Sequence, residues 1–180
     1  TFSEIYAEEL GLDWRATYLA ALDDLGVRAF RLSAYWPRIE PIPGKFQYGD
    51  LDWMLDEAAK RDAKVVLAIG RRLPRWPECH VPKWGKDLPE AELQLRVLNQ
   101  IRHVVEHTKT RKAVVAWQVE NEPLLDAFGV CPQSDKAFLE REIELVRALD
   151  QRPIILTESG ELSSWTRLTG LADTIGISMY

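Results

Sequence analysis

The sequence is short of several things that mark whole classes of function. It has two cysteines, Cys79 and Cys131, among 180 residues, too few for a disulfide framework and without the spacing of a metal site. Both fall in loops expected to follow neighbouring strands, so a bridge is open to them, with two unpaired thiols the plainer reading. No apolar run approaches the roughly 20 residues that cross a bilayer. Neither sign of charge dominates: the net charge is −5, with both signs interspersed. Nothing electrostatic therefore points to nucleic acid or an anionic membrane as partner. The first residues, Thr-Phe-Ser-Glu, show no basic segment, no apolar signal region and no initiator Met, which leaves the native start and the compartment open. There is no low-complexity tract, linker or repeat beyond the alternation described next.

What is present is an alternation of strands and helices. Val27 to Trp36, Lys64 to Gly70, Ala113 to Val119, Pro153 to Thr157 and Thr174 to Met179 are short, nearly continuous apolar runs, the pattern of parallel strands covered on both faces. Thr1–Ser3 reads as the tail of one more strand. Between them lie amphipathic stripes: Tyr18, Leu22 and Leu25; Leu51, Met54, Leu55 and Ala58; Leu93, Val97, Ile101 and Val104; Phe138, Leu139, Ile143 and Val146, with Glu142 flanking the last. Asp50, Asp87 and Ser134 are candidate N-caps, Asp87 with Glu90 has capping-box spacing, and Gly26 and Gly170 suit helix ends.

This density of alternation means an α/β fold with a parallel sheet, either doubly wound or a (β/α)8 TIM barrel. No Gly-x-Gly-x-x-Gly follows the early strands, against a dinucleotide-binding open sheet. The loops after strands are long and those before strands short, as in barrels, whose working face is built from post-strand loops. A barrel is expected, with residues 1–180 forming one partial domain of about six β-α units out of eight.

The residues that carry chemistry cluster at Glu120-Asn121-Glu122-Pro123, the end of an apolar strand. If the strand continues, Glu120 and Glu122 point the same way, and Glu122 sits where barrel enzymes place catalytic groups. Glycosidic hydrolysis needs one carboxyl held protonated to serve the leaving oxygen and a second carboxylate across the sugar. A strand-end glutamate walled by Trp117 and loop aromatics is desolvated, the environment that keeps an acid protonated. The plainer alternative is a glutamate that caps the next helix or pairs with an arginine.

Seven tryptophans favour carbohydrate, because sugar C–H faces stack on indoles while hydroxyls take hydrogen bonds from Asn, Glu and Arg. Trp36, Trp76, Trp84 and Trp165 lie in or beside post-strand loops, whereas Trp14 and Trp53 lie on helices and suit packing. His80 lies in the same loop as Trp76 and is a candidate for lining the substrate site. His103 and His107 have zinc-compatible spacing but no third ligand nearby, and read as ordinary helix-surface residues.

Three segments resemble the clan A glycoside hydrolases, which include families 1, 5, 10, 35, 39 and 42. Trp117-Gln-Val-Glu-Asn-Glu-Pro123 is similar to the acid/base strand, the barrel's fourth. Trp36-Pro-Arg-Ile-Glu40-Pro41-Ile-Pro-Gly44-Lys-Phe46 resembles the loop after strand two of family 42 and 35 β-galactosidases. Lys64 to Gly70 followed by Leu73-Pro-Arg-Trp76-Pro77 is similar to strand three of the family 42 type.

The resemblance implies a retaining glycosidase with Glu122 as acid/base, Asn121 on the sugar 2-hydroxyl, Arg31 supporting the nucleophile and Tyr180 contacting it. The nucleophile would be a glutamate on strand seven, beyond this segment, so residues 1–180 alone are expected to be inactive. Glu158 is a candidate for sugar binding or, in an inverting alternative, for pairing with Glu122. An oligo- or polysaccharide or β-galactoside-like substrate is implied, with no metal or organic cofactor. The rival from another class is a carbohydrate-binding or inactive barrel.

Overall fold

All five expected strands form in the computed structural model, which describes residues 1–162 and 164–178, the Trp165 side chain excepted. They are β1 (Ala29–Ser33), β2 (Lys64–Ile69), β3 (Val114–Val119), β4 (Ile154–Ser159) and β5 (Thr174–Ser178). The sheet is parallel throughout, and every strand lies beside its neighbours in sequence, in the order β1-β2-β3-β4-β5. A doubly wound sheet reverses its strand order at a switch point. Among the described strands there is no reversal, and the sheet has the winding of a (β/α)8 barrel. Thr1–Ser3 forms no named strand, but the Phe2 N–H donates to the Arg31 carbonyl at 3.0 Å, so the segment runs along the edge of β1. Counting it first makes β3 the barrel's fourth strand.

The helices are α1 (Glu4–Glu9), α2 (Trp14–Asp23), α3 (Trp36–Ile39), α4 (Gly49–Lys60), α5 (Glu90–Thr108) and α6 (Lys136–Leu149), with 3₁₀ turns at Lys83–Gly85 and Trp165–Leu168. The core lies between them and the sheet. Leu32, Leu67, Trp117, Val119 and Leu156 meet Tyr18, Met54, Leu55, Ile101, Leu139 and Val146, all almost fully buried. Leu25, expected on the stripe of α2, falls beyond the helix and is 78% exposed.

Several boundaries differ from the sequence reading, each for a local reason. The first strand stops at Ser33 rather than Trp36, because Pro37 sits in the first turn of α3, where its missing N–H costs nothing. Asp50 lies inside α4, whose N-cap is Tyr48, and Pro89 rather than Asp87 precedes α5, so no capping box forms. Asp135 caps α6, accepting the Phe138 N–H at 3.0 Å. Ser134 is engaged elsewhere, donating through both its N–H and its hydroxyl to Asp126.

A bulge matters most for the site. Val65 pairs with Val114 but Val66 pairs with Ala116, so Val115 is an extra residue that resets the alternation. After it, Trp117 and Val119 face the helices, while Gln118 is on the barrel's interior side.

Candidate active site

β3 ends at Val119, and the next residues turn sharply. Glu120 and Glu122 both have positive φ, 58° and 48°, a conformation that costs a non-glycine residue on the order of 1 kcal/mol and concentrates at functional sites. The strand therefore does not continue, and the two glutamates serve different places. Glu120 is buried and accepts the backbone N–H groups of Arg71, at 2.9 Å, and Arg72. Gly70 makes room for it: with φ 108°, a Cβ there would come within 2.6 Å of the Glu120 Cδ. Burial, and then the proximity of Glu120, raises the buried Glu142 carboxyl; burial likewise raises Glu120. Two adjacent carboxyls in such a place retain a proton between them.

Glu122, also buried, accepts the Ser178 hydroxyl at 2.6 Å. Its backbone N–H donates to the Thr157 hydroxyl oxygen at 3.0 Å, and that hydroxyl donates onward to Asn121 Oδ1 at 3.3 Å. Two further donors meet the same oxygen: Gln118 Nε2 at 3.3 Å and Arg31 Nη1 at 3.4 Å. Gln118 is itself fixed, because its amide donates to the Glu120 carbonyl and its Oε1 accepts from Arg31 at 3.1 Å. The Asn121 amide nitrogen then points the other way, donating to Glu78 Oε2 at 3.2 Å.

Arg31, Trp76, Glu78, Asn121, Phe128 and Ser178 line one depression of about 210 Å³ beside Glu122. Its wall is built by two loops. The Val130 N–H donates to the Pro77 carbonyl at 2.9 Å, Arg72 Nη2 donates to the Phe128 carbonyl at 2.8 Å, and Cys79 is joined to Cys131 by a disulfide. The Trp76–Pro77 peptide is cis. Trp76, 59% exposed, meets Phe128 edge-on at 5.7 Å.

Sequence reasoning did not single out Glu78, Phe128, Ser178 or Thr157. Only the Trp76-Pro-Glu-Cys79 string offered a signal for Glu78, since a cysteine bridged to the loop after β3 brings its neighbour there. The cysteines are paired, against the plainer expectation.

The other expected site residues lie apart from the depression. Trp36 is completely buried, donates its indole N–H to Glu40 Oε2 at 2.7 Å and meets Trp84 edge-on. Glu40 also accepts the Gly44 N–H at 2.7 Å, so the Trp36–Glu40–Gly44 string is the internal brace of its loop. His80 is buried against Tyr35, with Nε2 on the Arg75 carbonyl. Glu158 is buried and alternates with Thr157, which faces Asn121, so it points with Leu156 to the other side of the sheet. Trp117 donates to Asp150 in the helix layer and does not wall Glu122. Tyr180 lies outside the described residues. His107 pairs with Asp52 at 2.9 Å and stacks on Tyr48, while His103 stacks on Phe46. Among the described residues no cluster of His, Cys, Asp and Glu could hold a metal, and no helix is long and apolar enough to cross a membrane.

In sequence and in fold the chain is similar to known glycosidases. The family model for the glycoside hydrolase family 42 β-galactosidases matches residues 13–91. Over 170 residues the chain is 24% identical to β-galactosidase BgaA of Clostridium cellulovorans, covering 82% of this chain and 26% of that protein. The chain thus spans about a quarter of that relative's length.

In structure it is similar to the β-galactosidase of the psychrophilic Marinomonas ef1, with a TM-score of 0.70 and 15% identity, covering 91% of this chain and 38% of that one. It is also similar to xylanase 10B of Thermotoga petrophila RKU-1, in complex with xylobiose, with a TM-score of 0.69 and 19% identity, over 93% and 56% of the two chains. These findings bear out the resemblance to clan A glycoside hydrolases and the (β/α)8 barrel fold.

Proposed function

We propose that residues 1–180 form part of the catalytic barrel of a retaining glycosidase in which Glu122 is acid and then base. Glu122 gives its proton to the leaving oxygen as a carboxylate bonds to the anomeric carbon. Water then displaces that carboxylate, and its proton passes to Glu122. The attacking carboxylate belongs to the barrel's seventh strand, beyond the five described, so these 180 residues alone have no turnover. No metal or organic cofactor enters this chemistry. Asn121 and Arg31 contact the sugar or its nucleophile, and Trp76 offers a face for a sugar ring to stack on. A β-galactoside-like glycoside or an oligosaccharide is the substrate class, supported by the β-galactosidase and xylanase relatives.

The observation that carries this reading is the Glu122 carboxyl, set at the C-terminal end of β3 by Ser178 and adjoining the depression lined by Arg31, Asn121 and Trp76. The test is Glu122→Gln in the full-length protein, assayed on 4-nitrophenyl β-D-galactoside and on an unactivated disaccharide. Loss of about 10²–10⁴-fold is expected for removal of a general acid/base; wild-type turnover of the disaccharide sinks the assignment. Retention of anomeric configuration, read by NMR, separates this mechanism from an inverting one that pairs Glu122 with another carboxylate. Saturable sugar binding without any turnover by the full-length protein would instead identify a carbohydrate-binding barrel.

A further inference from the structure

Among the described residues that line the depression, Glu78 is the one carboxylate, and the chemistry proposed for Glu122 gives it no part. It is held with unusual care. Its φ is 69°, its N–H donates to the Arg75 carbonyl and its carbonyl accepts the Leu73 N–H, both at 2.8 Å. The next residue is bridged to Cys131, and Gly129 lies so close that a Cβ there would come within 2.7 Å of the Glu78 Cβ. Two loops from two strands therefore close on this side chain, and it is only 6% exposed.

Its chemistry follows from the direction of the hydrogen bonds around Asn121. Thr157, Gln118 and Arg31 all donate to Asn121 Oδ1, and Arg31 can do nothing but donate. The amide orientation is thereby set by its partners, with its nitrogen on Glu78. To a ligand in the depression Asn121 then offers donors only, and Glu78, as a carboxylate, offers acceptors only. A donor and an acceptor held 3.2 Å apart complement two neighbouring hydroxyls, one accepting from Asn121 and the other donating to Glu78.

We infer that Glu78 and Asn121 form a paired recognition site for a vicinal diol of a sugar, with Glu78 reading the hydroxyl next to the one that Asn121 holds. The inference rests on the carbohydrate reading of the depression, and not on turnover. It adds a specificity-determining residue from the loop after β2, and it gives the disulfide between Cys79 and Cys131 a purpose: keeping Glu78 in register with Asn121. Trp76 and Phe128, at the rim of the same loops, supply the apolar wall that a sugar ring needs beside its hydroxyls.

The experiment measures binding by ligand-observed NMR titration of the full-length protein, as wild type, Glu78→Gln and Glu78→Ala. The probes are methyl β-D-galactopyranoside, methyl β-D-glucopyranoside and the mono-deoxy analogues of each. Gln keeps the shape and an acceptor for Asn121 but turns a donor toward the sugar, and so guards against misfolding of the Ala variant. The expected result is a roughly 10-fold loss of affinity for the parent sugar in Glu78→Gln, the scale of one charge-assisted hydrogen bond. For one deoxy analogue, the one lacking the hydroxyl that Glu78 reads, wild type and variant should bind alike, because substrate and side chain have then lost the same contact.

Equal loss across every analogue, or no loss at all, overturns the inference even if hydrolysis stands. Selective loss in a protein that turns nothing over supports it while removing the hydrolase reading. Failure of the wild type to bind either parent sugar overturns both.

Discussion

The Ser178 hydroxyl donates to a Glu122 carboxylate oxygen at 2.6 Å. These residues close β5 and follow β3, and β4 runs between them. In a flat sheet, strands two apart are separated by about 10 Å, so the contact exists because the sheet curls and its interior side chains converge. Replacing Ser178 with Ala should leave the fold intact and lower kcat/KM of the full-length protein by about 10-fold or somewhat more, the scale of a hydrogen bond to a charged group. Unchanged kinetics would mean that Glu122 is positioned by its backbone alone.

Two tryptophans from neighbouring post-strand loops should behave in opposite ways. Trp76→Ala is expected to raise KM, since the ring is 59% exposed at the rim, with little change in the unfolding midpoint. Trp36→Phe should leave KM alone and destabilise by about 1–3 kcal/mol, because buried Glu40 loses its indole donor. Chemical denaturation beside steady-state kinetics separates the two. A KM effect at Trp36 without a stability effect would place that ring in contact with sugar.

The Cys79–Cys131 bridge closes a loop of 52 residues in sequence. Constraining such a loop in the unfolded chain is worth about 4 kcal/mol on a chain-entropy accounting. The Cys79→Ser, Cys131→Ser double variant should therefore unfold at clearly lower denaturant. It should also raise KM more than it lowers kcat, because the wall carrying Trp76, Glu78 and Phe128 loosens while Glu122 keeps its own supports. A change confined to kcat would count against the wall's role.

Two buried groups give the stability opposite pH slopes. Burial pushes Glu4 up from its ordinary 4.5 to about 7. Across that window the folded protein keeps a proton that the unfolded chain releases, so this contribution falls as pH rises. Burial pushes His80 down from 6.5 to about 4. There the unfolded chain takes up a proton that the folded protein refuses, so stability falls as pH falls. The slopes oppose each other where the windows overlap. Glu4→Gln removes one of them, and its unfolding free energy should rise from pH 4 to 6.5 more steeply than the wild type's. Parallel curves from urea titrations across that range would show that Glu4 does not hold its proton.

Strand and helix assignments were legible because each rests on local periodicity. Apolar runs such as Lys64 to Gly70 and the stripe of Leu93, Val97, Ile101 and Val104 specify which face must be buried, whatever the neighbours are. The candidate acid was legible too, since Glu122 ends such a run. The roles of Trp36 and Trp76 were not. Both are tryptophans in post-strand loops, and only the tertiary structure shows that Glu40 draws one inward while Phe128 meets the other at the surface.

Glu120 and Glu122 make the same point in three residues. Period-two alternation put them on one side, but the backbone turns through positive φ at both, and the distant backbone N–H groups of Arg71 and Arg72 hold the Glu120 carboxyl. By itself the sequence determined the parallel α/β architecture and the strand that delivers Glu122, because hydrophobic burial acts residue by residue along the chain. Only the tertiary structure decided which polar side chains share the depression with it. Glu78, Thr157 and Ser178 reach Asn121 and Glu122 across 35 to 56 positions of sequence, and their hydrogen bonds depend on the curl of the sheet and the bridge between two loops, neither of which leaves a periodic trace.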